Sequence, residues 1–377
     1  MIATQTARVS RLILTDFRNY RRLDLQFSDR LVAFVGENGA GKTNILEAVS
    51  YLTAGRGLRR ATLSDVARIG GAGGWSVAAR LEQDGTEIKL GTGWTAGETG
   101  RRVRIDAVEQ RSSESLLEYL RILWLVPAMD GLFTGPGSDR RRFLDRLTLS
   151  LNPAHGRQVS AFEKALRQRN KLLEDRGPAE YLGALEQQVV ELGTAVALAR
   201  RETVSLLAKT VRAQAVLGLP FPAGRLSLVG EFESETQDLS AADQEDRFRE
   251  RLQEGRARDR AAGRTLYGPH LTDLLVHHAE KDMPAARSST GEQKALLLGL
   301  VLAHADLTAG VTGMSPVLLL DEVAAHLDPN RRRALFSRLQ ALGGQVFMTG
   351  TDASLFEGLP PQSGIFAIEA HDARRLA

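Results

Sequence analysis

The run Gly36-Glu37-Asn38-Gly39-Ala40-Gly41-Lys42-Thr43 constrains this chain more than any other feature. It fits the spacing G-x-x-x-x-G-K-[ST], in which glycines let successive backbone N–H groups turn toward one phosphate. The β-branched and aromatic stretch Leu31-Val32-Ala33-Phe34-Val35 before it reads as a buried strand, and residues 44–52 after it read as a helix. The N-terminus of that helix adds positive potential for an anion. Lys42 is placed to reach the β- and γ-phosphates of a nucleotide, and the Thr43 hydroxyl to ligate Mg²⁺. Residues Gly36 to Asn44 together form the expected nucleotide-binding set. A chance glycine-rich turn is the bland alternative, and the flanking strand and helix weigh against it.

Two later motifs acquire meaning from this loop. The apolar strand Val317-Leu318-Leu319-Leu320 ends in Asp321-Glu322. Asp321 is expected in the Mg²⁺ shell, and Glu322 is expected to polarise an attacking water. The second motif, Ser288-Ser289-Thr290-Gly291-Glu292-Gln293, opens a helix over residues 294–302. Ser289 and Gly291 at a helix start suit an anion. Ser289 with Glu292 equally fits a capping box. The order along the chain (phosphate loop, serine-glycine turn, Asp-Glu strand) favours the anion site.

Around these motifs the sequence alternates as strands over 11–15 and 22–27, and residues 75–108 read as a meander of short strands. Near residue 115 glycine thins out and helical periodicity takes over. Two patterns, 158–175 and 179–216, flank Gly177-Pro178 and predict an antiparallel helical hairpin. Residues 231–262 are polar and charged, a loop followed by a helix. Strand and helix then alternate through 274–277, a helix after Ser289, 317–320, a helix after Pro329 and 346–349. The expected class is α/β, divided into residues 1–115 with the phosphate loop, a helical lobe over 116–265, and a closing segment over 266–377.

The absence of cysteine excludes disulfides, thiolate zinc sites, iron–sulfur clusters and a cysteine nucleophile. The formal net charge is +3, so any basic surface is local despite the dominance of arginine over lysine. The N-terminal residues lack the apolar core of a signal peptide, with Arg8 and Arg11 interrupting it. The longest apolar stretch, 295–303, is about half of the roughly 20 residues that span a bilayer. A cytoplasmic protein without a membrane partner is expected.

The three motifs in this order resemble the ATP-binding cassette superfamily, in which the signature turn of one subunit completes the ATP site of another. Ala324-Ala325-His326-Leu327-Asp328 resembles its D-loop, and Asp328 is then implied at the dimer interface. Met348-Thr349-Gly350-Thr351 stands where that superfamily carries a switch histidine. Phe17-Arg18-Asn19-Tyr20, residues 36–48, Gly135-Pro136-Gly137-Ser138, Arg140-Arg141-Arg142-Phe143-Leu144-Asp145 and Gly268-Pro269-His270 together resemble the bacterial RecF family over residues 11 to 355. One departure is Leu271-Thr272-Asp273, where the family has Arg-Asp-Asp.

The resemblance implies a cassette head with an inserted α-helical second lobe and a slow, DNA-stimulated ATPase. It further implies an ATP-dependent homodimer that binds single-stranded DNA, gaps and single-strand/duplex junctions. RecO and RecR are the implied partners in loading RecA, in gap repair, replication restart and SOS induction. DNA contacts are expected from basic clusters: Arg56, Arg59 and Arg60; Arg101, Arg102 and Arg104; Arg140, Arg141 and Arg142. Each cluster is otherwise an ordinary solvated surface. Arg331-Arg332-Arg333 lies early in a helix, where positive charge opposes the dipole and calls for an acidic partner, a phosphate or solvent.

A chromosome-organising ATPase of the SMC type shares these motifs but inserts a coiled coil of hundreds of residues, whereas the hairpin here spans about sixty. A transporter ATPase subunit is expected to keep the switch histidine and a clear glutamine loop, and no long helical hairpin in its second lobe.

Overall fold

The computed structural model describes residues 5–216, 221–369 and 372–376. Residues 1–4, 217–220, 370–371 and 377, which fall in the expected segments 1–115, 116–265 and 266–377, lie outside the described residues. The chain divides into two compact units: Met1–Asp130 with Leu217–Phe221 and Leu297–Ala377, and Gly131–Val216 with Pro222–Leu296.

The first unit holds two six-stranded sheets. Alternating residues in Arg8–Phe17 and Tyr20–Gln26 pair antiparallel, so that Leu12 faces Leu25 and Leu14 faces Leu23. The meander adds Gly74–Gln83, Thr86–Thr95, Arg102–Ile105 and Val108–Gln110 in sequence. The other sheet runs in the order Asp372–Arg375, Gly364–Glu369, Leu31–Val35, Val346–Gly350, Val317–Leu320, Ile122–Leu125. Its pairings are parallel except at the Asp372–Arg375 edge. Leu31–Val35 and Val317–Leu320 are buried at every residue, as expected for strands covered on both faces.

One core joins the two sheets. Leu12, Leu14 and Phe17 meet Val32, Phe34 and Phe347 there, with Ile45, Leu46 and Val49 of the helix Lys42–Ser50 among them. Phe34 and Phe347 stack with centroids 6.1 Å apart, and Phe27 meets both edge-on.

The expected boundary at 115/116 moves to 130/131. Ile122–Leu125 pairs in register with Val317–Leu320, a partner nearly two hundred residues later that local periodicity does not reveal. The closing segment also loses residues 266–296 to the second unit, because Asp273–His278 pairs antiparallel with Gly224–Val229.

In the second unit the hairpin helices are His155–Glu174 and Ala179–Val216, the latter about 57 Å long at 1.5 Å per residue. The polar stretch expected to begin as a loop is instead a short helix, Glu231–Thr236, followed by Ala241–Ala262. Phe232 explains the difference: it is buried against Phe248 at 5.1 Å and Tyr267 at 5.7 Å. Ser240 caps the longer helix by accepting from Asp243 N–H at 3.3 Å.

A buried ion cluster holds the hairpin to that helix. The Arg169 guanidinium is fully buried and donates to Glu186 (3.1 Å), Asp259 (2.6 Å), Thr265 Oγ1 (2.8 Å) and the Leu252 carbonyl (2.8 Å). Removing it takes the balancing guanidinium from the buried Asp259 carboxylate and leaves buried Glu186 to Arg256 alone. Arg169→Ala is therefore expected to lower stability by about 3–5 kcal/mol, read from denaturant unfolding.

The helix Thr290–Thr312 extends past the expected apolar run. It is long and apolar enough to cross a membrane, but 67% of its most apolar window is buried within the protein, as in a core helix.

Candidate functional site

The register of the parallel sheet assembles the site. Leu320 lies opposite Met348, and Thr349 and Gly350 lie opposite Phe34 and Val35. The phosphate loop, Asp321-Glu322 and Thr349 therefore leave the sheet side by side at its C-terminal edge, where α/β folds place ligands.

Gly41 begins the helix at φ 115°, and a Cβ there would lie 2.5 Å from Tyr20 Oη and 2.6 Å from Asn19 Nδ2. Only glycine fits both the backbone and the space. The Phe17-Arg18-Asn19-Tyr20 motif thus backs the loop. Asn19 accepts from Asn44 Nδ2 at 2.7 Å, and Arg18 grips fully buried Glu47 through Nε and Nη2 at 2.8 and 2.6 Å. Glu47 lies on the loop's own helix, so this ion pair fixes where that helix starts.

Lys42 is buried, and its ammonium donates to the carbonyls of Gly36 (2.6 Å) and Glu37 (2.8 Å). Burial holds its pKa below the ordinary lysine value, countered by the carboxylates of Glu322 and Asp321. Thr43 Oγ1 lies 2.9 and 3.1 Å from the two carboxylate oxygens of Asp321. Thr349 Oγ1 donates to Asp321 Oδ1 at 2.7 Å and accepts from Glu322 N–H at 2.9 Å. Glu322 itself sits in the left-handed region, φ 56°.

The arrangement fits a nucleotide with Mg²⁺. A Cβ at Gly39 would meet nothing within 4 Å, so the loop is open there, and the Lys42 ammonium is held against the loop's own carbonyls. Thr43 can give its proton to Asp321 and keep lone pairs for a hard cation. No cluster of three or more metal-ligating side chains occurs among the described residues. Mg²⁺ held here would thus depend on nucleotide oxygens, as is usual for that ion. When bound, it would supply charge neutralisation on the phosphates.

Ser289 and Gly291 are exposed and lie in the second unit. Ser289 does form the capping box: its N–H and hydroxyl both donate to Glu292 Oε2 at 3.0 Å. Glu292 also pairs with Lys281. Lys281 first, then the Ser289 N–H and hydroxyl, hold the Glu292 carboxyl down at about 2 against an ordinary 4.5. Because the folded value lies below the unfolded one, this stabilisation is fully present above about pH 4.5 and is lost as pH falls toward about 2. The protection factor of the Ser289 amide, the exchange rate of an unstructured peptide at the same pH divided by its own, is expected to fall through that window, and Glu292→Gln to abolish the dependence.

Asp328 caps the helix Pro329–Leu342, accepting from the N–H groups of Asn330 and Arg331 at 2.9 Å each. Its carboxylate also lies 3.6 Å from the Arg331 guanidinium. Asp328 is thus the acidic partner of Arg331, whereas Arg332 donates to the carbonyls of Leu327 (3.2 Å) and Leu355 (3.4 Å) and Arg333 to Asn330 Oδ1 (2.6 Å).

The basic clusters separate. Arg140 is committed to the fold: it grips Asp273 bidentately at 2.8 and 2.6 Å and donates to the Gly135 carbonyl at 2.6 Å. Arg141 donates to the Thr272 carbonyl at 3.1 Å. Of these two partners Asp273 keeps the family pattern, whereas Thr272 departs from it and is met only through its backbone carbonyl. Arg142 is half-exposed beside Asp139, 3.0 Å away. Arg56, Arg59 and Arg60 are all exposed, and Arg59 additionally donates to Asn44 (2.6 Å) and Glu47 (2.7 Å). Arg101 is sequestered against the carbonyls of Tyr51 and Thr53, and burial pushes its pKa down to about 10. That position closes off the end of the phosphate-loop helix and corrects the expectation of a DNA contact from Arg101.

Sequence reasoning missed Glu47 and Asn19 as supports of the loop, and Thr349 as a partner of the Asp321 carboxylate and the Glu322 backbone N–H. Thr349 lies in the stretch 348–351 that stands where the superfamily carries its switch histidine.

A parallel sheet with this loop, an Asp-Glu strand and an antiparallel sheet over the same helix defines an ATP-binding cassette head. The family model described as RecF/RecN/SMC N terminal domain matches residues 8–373. The DNA replication and repair protein RecF of Rhizobium etli is 54% identical over 363 residues, covering 96% of each chain. That of Agrobacterium fabrum is 54% identical over 369 residues, covering 97% of this chain and 98% of its own. The solved structure of the recombination mediator protein RecF-ATPrS in the RecFOR pathway has a TM-score of 0.88 over the full length of both chains, at 22% identity. An Smc head domain from Pyrococcus furiosus, with an extended coiled coil and bound to the C-terminal domain of ScpA, has a TM-score of 0.55 at 15% identity, covering 98% of this chain and 96% of its own. Both structures bear on the fold alone. The chain belongs to the bacterial RecF family, within the SMC-like ATPases.

Proposed function

We propose that this protein is an ATP-dependent DNA-binding switch of recombinational repair. ATP with Mg²⁺ binds at Gly36 to Asn44, closes a homodimer through Ser289, Gly291 and Asp328 of the opposite copy, and is hydrolysed slowly, with stimulation by DNA. The dimer engages single-stranded DNA, gaps and single-strand/duplex junctions in the cytoplasm. It acts with RecR and RecO in loading RecA, in gap repair, replication restart and SOS induction. The observation that carries this reading is the bonded chain Thr43–Asp321–Thr349–Glu322 beside Lys42, in a sequence that matches a RecF protein over 96% of its length.

Mechanistically, Lys42 binds phosphate charge, Asp321 and Thr43 would hold Mg²⁺, which would neutralise phosphate charge, and Glu322 polarises the attacking water by drawing its proton. Two nucleotides between two copies make ATP part of the interface, so hydrolysis releases the dimer. Exposed Arg56, Arg60 and Arg142 are the DNA contacts retained in this reading, through phosphates rather than bases. Arg59 and Arg140 support the loop and the second unit instead. The test is binding to gapped, single-stranded and duplex DNA with and without ATP. ATP-enhanced preference for gapped DNA supports the reading; indifference to ATP on all three overturns it.

A further inference from the structure

Within Met348-Thr349-Gly350-Thr351, the stretch that stands where the superfamily carries a switch histidine, the Thr349 hydroxyl donates one bond and accepts another. We propose that Thr349 is a positioning residue that ties the metal-side carboxylate of Asp321 to the backbone of Glu322. The proposal rests on the ATPase reading above and adds a residue to it.

A hydroxyl has one proton to give and lone pairs to accept with. Thr349 gives its proton to Asp321 Oδ1 at 2.7 Å and takes the Glu322 N–H at 2.9 Å. The residue is 1% exposed, so water does not compete for either bond. Asp321 is then held from two sides, by Thr43 of the phosphate loop and by Thr349 of the neighbouring strand. Glu322 adopts a left-handed backbone, uncommon for a residue with a side chain, and Thr349 fastens the amide at that bend. One hydroxyl thus couples the orientation of the metal-side carboxylate to the backbone that presents the catalytic one. Threonine at this place acts through Asp321 and Glu322.

Thr349→Val keeps the shape and removes the hydroxyl, leaving the Glu322 N–H without its acceptor and Asp321 with one donor fewer. Thr349→Ser keeps the hydroxyl. The full-length proteins, with Lys42→Met as the inactive control, are compared for ATP turnover across a Mg²⁺ titration. Binding of a fluorescent ATP analogue in EDTA and thermal midpoint are measured alongside. Loss of such a supporting bond typically costs roughly 10- to 100-fold in metal affinity or activity. Thr349→Val is therefore expected to lower kcat in that range and shift the half-maximal Mg²⁺ concentration upward, with metal-free nucleotide binding unchanged. Thr349→Ser is expected to restore both.

Wild-type turnover and Mg²⁺ dependence in Thr349→Val overturn the role. So does a loss of kcat with no Mg²⁺ shift and no rescue by serine, which marks a packing defect. If the valine protein does not fold, Thr349→Ala against Thr349→Ser makes the same contrast of one hydroxyl. A wild type no faster than Lys42→Met overturns the ATPase reading and this role with it. A wild type faster than Lys42→Met but matched by Thr349→Val overturns the positioning role alone.

Discussion

Glu322→Gln is expected to cut ATP turnover by about 10²- to 10⁴-fold while leaving ATP bound. The amide keeps the shape and hydrogen bonding of the side chain but cannot draw a proton from water. Its backbone bond to Thr349 is untouched, because that bond comes from the N–H of residue 322. Lys42, Thr43 and Asp321 also remain in place, so nucleotide affinity persists and the bound state accumulates. If ATP joins two copies, the variant stays dimeric long after the wild type has dissociated. Single-turnover hydrolysis and sedimentation with ATP measure the two effects. Unchanged turnover would move the catalytic carboxylate elsewhere; lost turnover without a persistent dimer would uncouple hydrolysis from assembly.

The parts of this site legible in the sequence were those encoded by contiguous residues. The phosphate loop, its strand and its helix follow from local geometry, because glycines and an apolar run must lie next to each other to work. Long-range pairings were not legible. Ile122–Leu125 was assigned to the wrong unit because its partner strand begins at Val317. The same limit applies to charge. Arg140 and Arg142 look alike in a run of three arginines, yet Arg140 is gripped by Asp273 and Arg142 faces solvent beside Asp139. Periodicity also failed over residues 231–236, where one aromatic residue, Phe232, docks a helix that its acidic neighbours disguise. At Ser289 the sequence offered a cap and an anion site as rivals. The structure contains the cap, and an exposed hydroxyl can serve the second role in a complex.

Ser289→Arg separates those roles with the other large effect. A cap that does nothing else loses about 1 kcal/mol when its side chain is removed, and the protein otherwise behaves normally. A signature serine that meets the γ-phosphate held by Lys42 of a second copy cannot be replaced by a long cation without blocking closure. The variant is expected to bind ATP as a monomer and to lose both dimerisation and turnover. Lys42→Met is expected to fail earlier, because no ammonium remains to bind the phosphates. Mixing the two proteins supplies the decisive comparison. A mixed dimer with two equivalent composite sites unites both lesions in one site and leaves the other intact. Random pairing then restores up to roughly a quarter of wild-type activity, where each variant alone has none. Recovery on mixing requires residues from two copies in one site, which no monomeric mechanism provides. If Ser289→Arg alone dimerises and hydrolyses ATP at the wild-type rate, the serine is a helix cap and the composite site is absent.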